Sequence, residues 1–206
     1  IGGAAGGIFV NLIAPFIFTG YWEFYLAWLL TAILLIVMLL SHLSARVTIQ
    51  ARVMGFSFLA AVVLLALSLN QYRNALFVER NFYGVIRVKQ FSKNAIAMIH
   101  GVTVHGIQYL DDRTRPTAYY VEDSGIALLL NNHPQRGHGM RVGVLGLGTG
   151  TLAAFAQEGD TYRFYEINPV VVRLAEGEGG YFTFLSDSKA GITVVSGDAR
   201  ISLEQE

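Results

Sequence analysis

The charged residues of this 206-residue chain are distributed very unevenly. Residues 1–70 contain only three, Glu23, Arg46 and Arg52, whereas residues 71–206 contain the other 27. Three long uncharged runs result, at residues 1–22, 24–45 and 53–72, and each has the roughly 20 residues with which an α-helix crosses a bilayer. The sequence therefore predicts three transmembrane helices within residues 1–72. The alternative is a buried apolar hairpin.

The first run opens with glycines spaced four residues apart, Gly2 with Gly6 and Gly3 with Gly7. Small residues on one helix face allow another helix to approach closely. A flexible chain end is an equal interpretation of these glycines. Because the chain does not start with Met, we expect a fragment or a processed form with further transmembrane helices before it. The expected partners are the lipid bilayer, other transmembrane helices and, through them, a larger membrane complex.

The basic residues give two opposing indications of orientation. Arg46 and Arg52 lie in the connector at 41–52, and the positive-inside rule would place that connector in the cytoplasm. A larger basic cluster directly after residue 72 places the C-terminal part there instead (Arg73, Arg80, Arg87, Lys89 and Lys93). We give the larger cluster more weight. The expected location is a bacterial inner membrane with a cytoplasmic soluble domain.

The composition excludes several classes of function. Lys plus Arg and Asp plus Glu each total 15, so the chain lacks the basic excess that holds a nucleic acid backbone. It contains no Cys, which excludes disulfides, thiolate metal sites and cysteine nucleophiles. Only 15% of the residues are charged, against about 25% in ordinary soluble domains. This balance agrees with a membrane protein.

Residues 73–135 have the pattern of a linker and a small antiparallel β unit. The segment 70–81 reads as the linker, and residues 82–88, 95–99 and 103–109 read as short strands, rich in β-branched and aromatic residues and separated by turn residues. Residues 124–131 predict a short helix, which ends before His133-Pro134.

Strand and helix patterns alternate from residue 136 to residue 206. Residues 141–145 read as a buried strand, a helix begins at Thr151, and residues 162–165 and 192–196 read as further strands. Asn168-Pro169 has the residue types that begin a helix, which we expect to run to about Glu176. The pattern predicts the first half of a doubly wound, Rossmann-like sheet.

The candidate ligand-binding residues of this segment lie in the turns that follow its strands. Gly146, Gly148 and Gly150 lie between a strand and a helix, where bare backbone lets a ligand approach the helix end. Glu166 ends the second strand 20 residues after Gly146, the spacing of an acid that accepts both ribose hydroxyls. Asp198 follows the third strand, where a carboxylate can accept from the exocyclic amine of adenine. Together they predict a nucleoside-binding site.

The segments VGVLGLGTGTLA, FYEINPVVV and VVSGDAR resemble the motifs of the S-adenosylmethionine methyltransferase-like fold. With the preceding FYGVIRV, IHGVTVHGIQYLDD and AYYVEDSGIALLLNNHP, residues 80–206 resemble the spermidine synthase family, and specifically its membrane-fused bacterial members. The resemblance implies that S-adenosylmethionine or its decarboxylated form is bound without a metal, with Gly146, Gly148, Thr149 and Gly150 at its amino-acid or sulfonium end. It implies Glu166 at the ribose and Asp198 at the adenine. It also implies Gln108 and Tyr120 beside the polyamine substrate, which is putrescine in the family.

The sequence departs from that family in two places. The synthases have an acid within the glycine loop, where this chain has Thr149, as a methyltransferase would. The catalytic acid of the family follows a fourth strand, a position beyond Glu206, so the catalytic residues stay unassigned. Three functions therefore remain open, namely aminopropyl transfer, methyl transfer, and a non-catalytic accessory subunit of a membrane complex.

Two further groups of residues admit a functional and a plain interpretation. His100 with His105, and His133 with His138, are five residues apart in strand or loop segments, where that spacing does not align zinc ligands. We interpret them as polar or turn histidines. Asp111-Asp112 and Glu122-Asp123 could attract an amine, although solvated turn acids are the stronger interpretation. The glycine-rich segment at 176–180 predicts a helix end.

Overall fold

A computed structural model of the protein describes residues 2–41 and 47–206. The chain divides into two compact units, Ile1–Val85 and Ile86–Glu206. Ile1, Arg46 and the rest of the segment 42–46 lie outside the described residues, and so does that part of the connector on which the predicted orientation depended.

The first unit is mainly helical. It contains α1 (Gly2–Ile8), a π-helical turn (Phe9–Ile13), α2 (Ala14–Ile17), α3 (Trp22–Ser41) and α4 (Val47–Arg73), and these are followed by β1 (Ala75–Asn81). Helices α3 and α4 pack against each other. The side chain of Arg80 on β1 forms a two-pronged ion pair with Glu23 on α3, with nitrogen–oxygen distances of 2.7 and 2.8 Å.

The prediction of three transmembrane helices is wrong. Within residues 2–41 and 47–206, no helix has both the length and the apolar content that a membrane span requires. In the first run the reason is visible, because a π-helical turn interrupts the helix and the chain leaves helical geometry at Phe18. That run therefore lacks the single continuous helix of about 20 residues that crosses a bilayer.

The antiparallel sheet has four strands in the order β1-β2-β3-β4, where three were predicted. The predicted strands are confirmed as β2 (Gly84–Ser92), β3 (Ala95–His100) and β4 (Thr103–Tyr109). The additional strand, β1, occupies most of the segment that was predicted to be a linker. Its sequence ALFVERN mixes Phe and Val with charged residues, a composition that suits a partly exposed strand.

The second sheet consists of the parallel strands β5 (Arg141–Leu145), β6 (Thr161–Glu166) and β7 (Gly191–Ser196), in that order. The pairing joins Arg141 to Thr161 and Thr161 to Gly191. The predicted buried character of β5 is wrong, since none of its residues is buried and Leu145 is 68% exposed. β5 is an edge strand, and the central strand β6 contributes the buried Tyr162 and Phe164 instead.

Short helices connect these strands. α5 (Gly125–Asn131) begins at Ser124, whose hydroxyl accepts from the amide of Ala127, and α6 (Pro169–Ala175) begins at Asn168, whose side chain accepts from the amide of Val170. The cap at Asn168 confirms the prediction, and the helix expected at residues 124–131 is confirmed as α5. The helix predicted from Thr151 is a single 3₁₀ turn, Thr151–Phe155, and α7 (Ala199–Glu204) follows β7. The fold is thus a helical segment, a four-stranded antiparallel sheet and a separate three-stranded parallel sheet.

The second unit buries hydrophobic residues on both of its sheets, and the strand β6 is among the most deeply buried. Tyr162 and Phe164 on this strand are fully buried. Other buried hydrophobic residues of this unit lie on β2, β3, α6 and the segment before β7: Ile86, Val88, Ile96, Met98, Leu174, Phe182 and Phe184. Asp160, directly before β6, is buried and accepts from the amides of Gly137, Met140 and Gln157, which fixes the entry to the strand.

Candidate functional site

The glycine turn after β5 has a backbone that side chains rarely adopt. Gly146, Gly148 and Gly150 have φ angles of 92°, 56° and 82°, in the left-handed region where glycine is favoured. A Cβ on Gly146 would meet no atom within 4 Å, so the main chain faces open space there. A Cβ on Gly148 would lie 2.9 Å from the carbonyl oxygen of His105, and one on Gly150 would lie 2.7 Å from Leu185. The turn is therefore packed at Gly148 and Gly150 and open at Gly146.

The carboxylate of Glu166 holds this turn. Its Oε2 accepts from the amide of Leu147 at 3.0 Å, and its Oε1 accepts from the amide of Asn168 at 2.8 Å. The side chain is partly exposed. A carboxylate offers about four acceptor positions, so two backbone bonds leave capacity for ligand hydroxyls. The structure thus brings the predicted ribose-binding residue directly to the glycine turn.

Asp198 lies at the same edge of the sheet, because parallel strands end on one side. Gly197 donates to the carbonyl of Glu166 at 2.8 Å, which ties the residues after β7 to the end of β6. The Oδ1 of Asp198 accepts from the amides of Arg200 at 2.9 Å and Ile201 at 3.1 Å. Asp198 is exposed and begins α7, a capping role that the sequence did not indicate.

Thr149 is turned into the protein. It is 1% exposed, and its hydroxyl lies 3.0 Å from the hydroxyl of Thr151. On its other side it packs against Gly106 of β4, where a Cβ would overlap the Thr149 hydroxyl. The position that carries an acid in the synthases therefore supports the turn from behind.

Gln108 and Tyr120, the predicted polyamine contacts, have different environments. Gln108 is fully buried, and its Nε2 donates to the carbonyl of Arg113 at 2.7 Å and to the hydroxyl of Thr183 at 3.0 Å. Its Oε1 accepts from the amide of Thr183 at 2.9 Å. These bonds use both N–H donors of the amide, so Gln108 ties β4 to residue 183. Tyr120 ends the 3₁₀ helix Ala118–Tyr120 and is partly exposed.

Part of the predicted acidic surface comes together in a cavity of about 590 Å³. Asp112, Glu122 and Asp123 line it, and Arg115 is the basic residue beside them. The guanidinium of Arg115 lies over the ring of Tyr109, 5.2 Å from its centroid. Three carboxylates against one guanidinium make this cavity acidic.

His105 also lies at the glycine turn, and the sequence interpretation did not include it in the site. Its ring centroid is 5.3 Å from that of His100. Burial and the neighbouring His100 lower the pKa of His105, whereas the charge of Glu166 raises it. The histidine pair was visible in the sequence, but only the fold brings the main-chain carbonyl of His105 to Gly148. Within the described parts of the chain, no group of three or more His, Asp or Glu side chains is arranged to hold a metal ion.

No model of a protein family matches the chain, and no curated protein matches its sequence.

Proposed function

We propose that the chain binds an S-adenosyl nucleoside at the glycine turn, and that the reaction it serves is the aminopropyl transfer of the spermidine synthases. The observation that carries the proposal is the contact between Glu166 and Leu147. It holds a carboxylate with spare acceptor positions against a turn whose main chain is open at Gly146. Bare backbone beside an acceptor-only group is an arrangement that suits a ribose.

Each residue at this edge has a defined part in the proposal. Glu166 accepts from the ribose hydroxyls, and Gly146 leaves room for the ligand to approach the backbone. Asp198 caps α7 through Oδ1, and its carboxylate accepts in addition from the exocyclic amine of adenine. Gln108 and Thr149 position the turn and its neighbours from behind. The group that fits is S-adenosylmethionine or decarboxylated S-adenosylmethionine, and the bound sulfonium supplies an activated carbon for an attacking amine.

The acidic cavity supports an amine as the second substrate. Polyamines are cations at neutral pH, and Asp112, Glu122 and Asp123 present carboxylates around one open volume. Such a surface raises the local concentration of a cation. In this proposal the three acids attract the amine, and a base then removes a proton to make the nitrogen nucleophilic.

Methyl transfer is the second candidate, and the orientation of Thr149 favours it. A synthase uses an acid at this position of the loop, whereas Thr149 offers no carboxylate and faces Gly106. The two reactions differ in the donor, because a methyltransferase takes S-adenosylmethionine and a synthase takes its decarboxylated form.

Isothermal titration calorimetry tests the proposal directly. The full chain is titrated with 5′-methylthioadenosine, S-adenosylmethionine and decarboxylated S-adenosylmethionine. Glu166→Ala should weaken the binding of all three by about 1–3 kcal/mol, the cost of leaving polar groups unpaired. Glu158→Ala is the matched control, because Glu158 is exposed and lies on another turn, and it should bind like the wild type.

The result separates the alternatives. A wild-type protein that binds none of the three ligands contradicts the nucleoside site. Equal affinity in the Glu166→Ala variant contradicts the placement of the ribose. Tighter binding of the decarboxylated ligand, with product formed from putrescine, supports aminopropyl transfer, whereas preference for S-adenosylmethionine supports methyl transfer.

A further inference from the structure

The first unit contains a cavity beside the ion pair of Arg80 and Glu23. Its volume is about 210 Å³, and the residues that line it belong to this unit alone. Its wall includes Val10 and Asn11 of the π-helical turn and Pro15 of α2, together with Glu23 and Arg80. Pockets for drug-sized ligands measure about 300–1,000 Å³, so this cavity suits a smaller molecule.

Arg80 has hydrogen-bond donors left over on one edge of its guanidinium, a group with five N–H donors. Nη1 donates to the carbonyl of Gly20 at 2.6 Å and to Oε2 of Glu23 at 2.8 Å, and Nη2 donates to Oε1 of Glu23 at 2.7 Å. No residue of the described chain accepts from Nε or from the second N–H of Nη2. These two donors lie side by side, the geometry that binds a carboxylate through two parallel hydrogen bonds.

The free edge of Arg80 is held in place and is accessible. The side chain is only 4% exposed, yet its Nε is not sealed inside the protein. Arg80 lines the cavity, so a molecule seated there can reach this edge. The guanidinium also lies over the ring of Tyr21, 4.9 Å from its centroid. A group that is already fixed by Glu23, Gly20 and Tyr21 loses little freedom when it binds a ligand.

Glu23 keeps acceptor capacity in the same place. Its side chain is 8% exposed, and it lines the cavity. A carboxylate offers about four acceptor positions, whereas each oxygen of Glu23 takes one bond from Arg80. The cavity therefore presents a buried cation with spare donors beside a buried anion with spare acceptors.

The charges of this pair select the class of ligand. Arg80 and Glu23 cancel each other, so an anion alone or a cation alone would leave a net charge where charges are poorly solvated. A zwitterion adds no net charge, because its carboxylate accepts from Nε and Nη2 of Arg80 while its ammonium donates to Glu23. A free α-amino acid carries these two groups on one carbon.

We propose that this cavity binds a small zwitterionic amino acid. The π-helical turn supports a binding role, because such turns are rare and are frequent at functional sites, and Val10 and Asn11 of this turn form part of the wall. The volume limits the ligand to a small side chain. The site is independent of the nucleoside site, whose residues all lie in the second unit.

Isothermal titration calorimetry of the full chain tests the charge argument with three probes. At neutral pH glycine has both charges, acetate has only the carboxylate, and methylammonium has only the ammonium. Glycine should bind at least about tenfold more tightly than either single ion, since each ion can form only part of the charged hydrogen bonds. Acetate or methylammonium that binds as tightly as glycine overturns the choice of a zwitterion.

Variants of two ion pairs locate the site. Glu23→Leu with Arg80→Met replaces both charged groups by apolar ones and should abolish the binding of glycine. Arg173→Met with Glu178→Leu is the matched control, because Arg173 and Glu178 form an exposed ion pair at 2.8 Å in the second unit, and it should bind glycine like the wild type. In NMR spectra of the wild type, glycine should shift the Nε–H signal of Arg80 and leave that of Arg173 unchanged. This measurement needs no variant to fold.

The outcomes decide the proposal without reference to the nucleoside. If glycine does not bind the wild type, the amino-acid site is wrong. Equal affinity for glycine in the Glu23→Leu, Arg80→Met variant overturns the location, and so does an unshifted Nε–H signal of Arg80. The binding of S-adenosyl ligands is measured separately and bears only on the nucleoside site.

Discussion

The close contact between Gly106 and Thr149 joins β4 to the glycine turn, and it makes a sharp test of how the site is assembled. A Cβ at position 106 would lie 2.8 Å from the Cγ2 and 2.9 Å from the Cβ of Thr149, and it would overlap the hydroxyl. Thr149 cannot easily retreat, because it is 1% exposed and bonded to Thr151. Nor can the turn move freely, since Gly148 already meets the carbonyl of His105.

Gly106→Ala should therefore destabilise the protein by about 1–3 kcal/mol, the usual cost of adding a methyl group to a packed interior. Denaturant unfolding followed by circular dichroism measures the loss. Nucleoside affinity should fall in the same variant, because a displaced Thr149 shifts the amide of Leu147 away from Glu166. Gly143→Ala is the control, since Gly143 also lies in a strand and a Cβ there would meet no atom within 4 Å.

A second substitution shows whether the overlap is the cause. Thr149→Gly removes the Thr149 Cβ, Cγ2 and hydroxyl that an alanine at position 106 would meet. Combined with Gly106→Ala, it should restore part of the lost stability, so that the two changes cost less together than the sum of their separate effects. The packing argument is refuted if Gly106→Ala unfolds within about 0.5 kcal/mol of the wild type, or if the two costs simply add.

Two further predictions concern buried polar groups away from the glycine turn. Glu23→Gln should destabilise the first unit by about 3–5 kcal/mol in denaturant unfolding, because the Arg80 side chain is only 4% exposed and loses its carboxylate. Glu23→Leu with Arg80→Met should cost much less, and an equal loss in both variants would contradict this. Burial raises the pKa of Tyr162 to about 12, and its hydroxyl has no hydrogen-bond partner in the described chain. Burial favours the protonated hydroxyl in the folded state. The free energy of unfolding is therefore unaffected by this group below pH 10, and it falls as the pH rises from about 10 through about 12. Tyr162→Phe should remove that alkaline loss and leave stability at pH 7 unchanged or slightly higher; a clear loss at pH 7 would show that the hydroxyl is paired.

The strands and helix starts of the second unit could be predicted because their signals are local. Asn168-Pro169 caps α6 with bonds that span two residues, and Arg141–Leu145 carries enough β-branched and apolar residues to define a strand on its own. Burial is not local. The same strand β5 was expected to be buried, yet its exposure depends on its place at the edge of the sheet. The amino-acid composition of a strand does not show whether that strand will lie at the edge or at the centre of its sheet.

The helical unit shows the opposite difficulty, since a strong composition signal led to a wrong conclusion. The uncharged run at 1–22 has the apolar content of a span, but a π-helical turn and the break after Ile17 divide it. Glu23 was treated as an interruption between two spans. In the structure it is a buried partner of Arg80, 57 residues later in the chain. An ion pair between residues so far apart in the sequence cannot be predicted from the lengths of uncharged runs.

The candidate site also contains residues that local sequence signals predict and residues whose roles depend on tertiary contacts. Glu166 ends the next parallel strand after the glycine turn, and parallel strands end at the same edge of a sheet, so the sequence could place that carboxylate near the turn. The roles of Gln108, Thr149 and His105 depend on β4, which comes some 40 residues before the turn. Because Gly106 on β4 packs against Thr149, the turn depends on a strand of the other sheet as well as on β5 and β6. The strand β4 is therefore part of the support of the candidate site, and a substitution on β4 should alter the glycine turn even where it would touch no ligand.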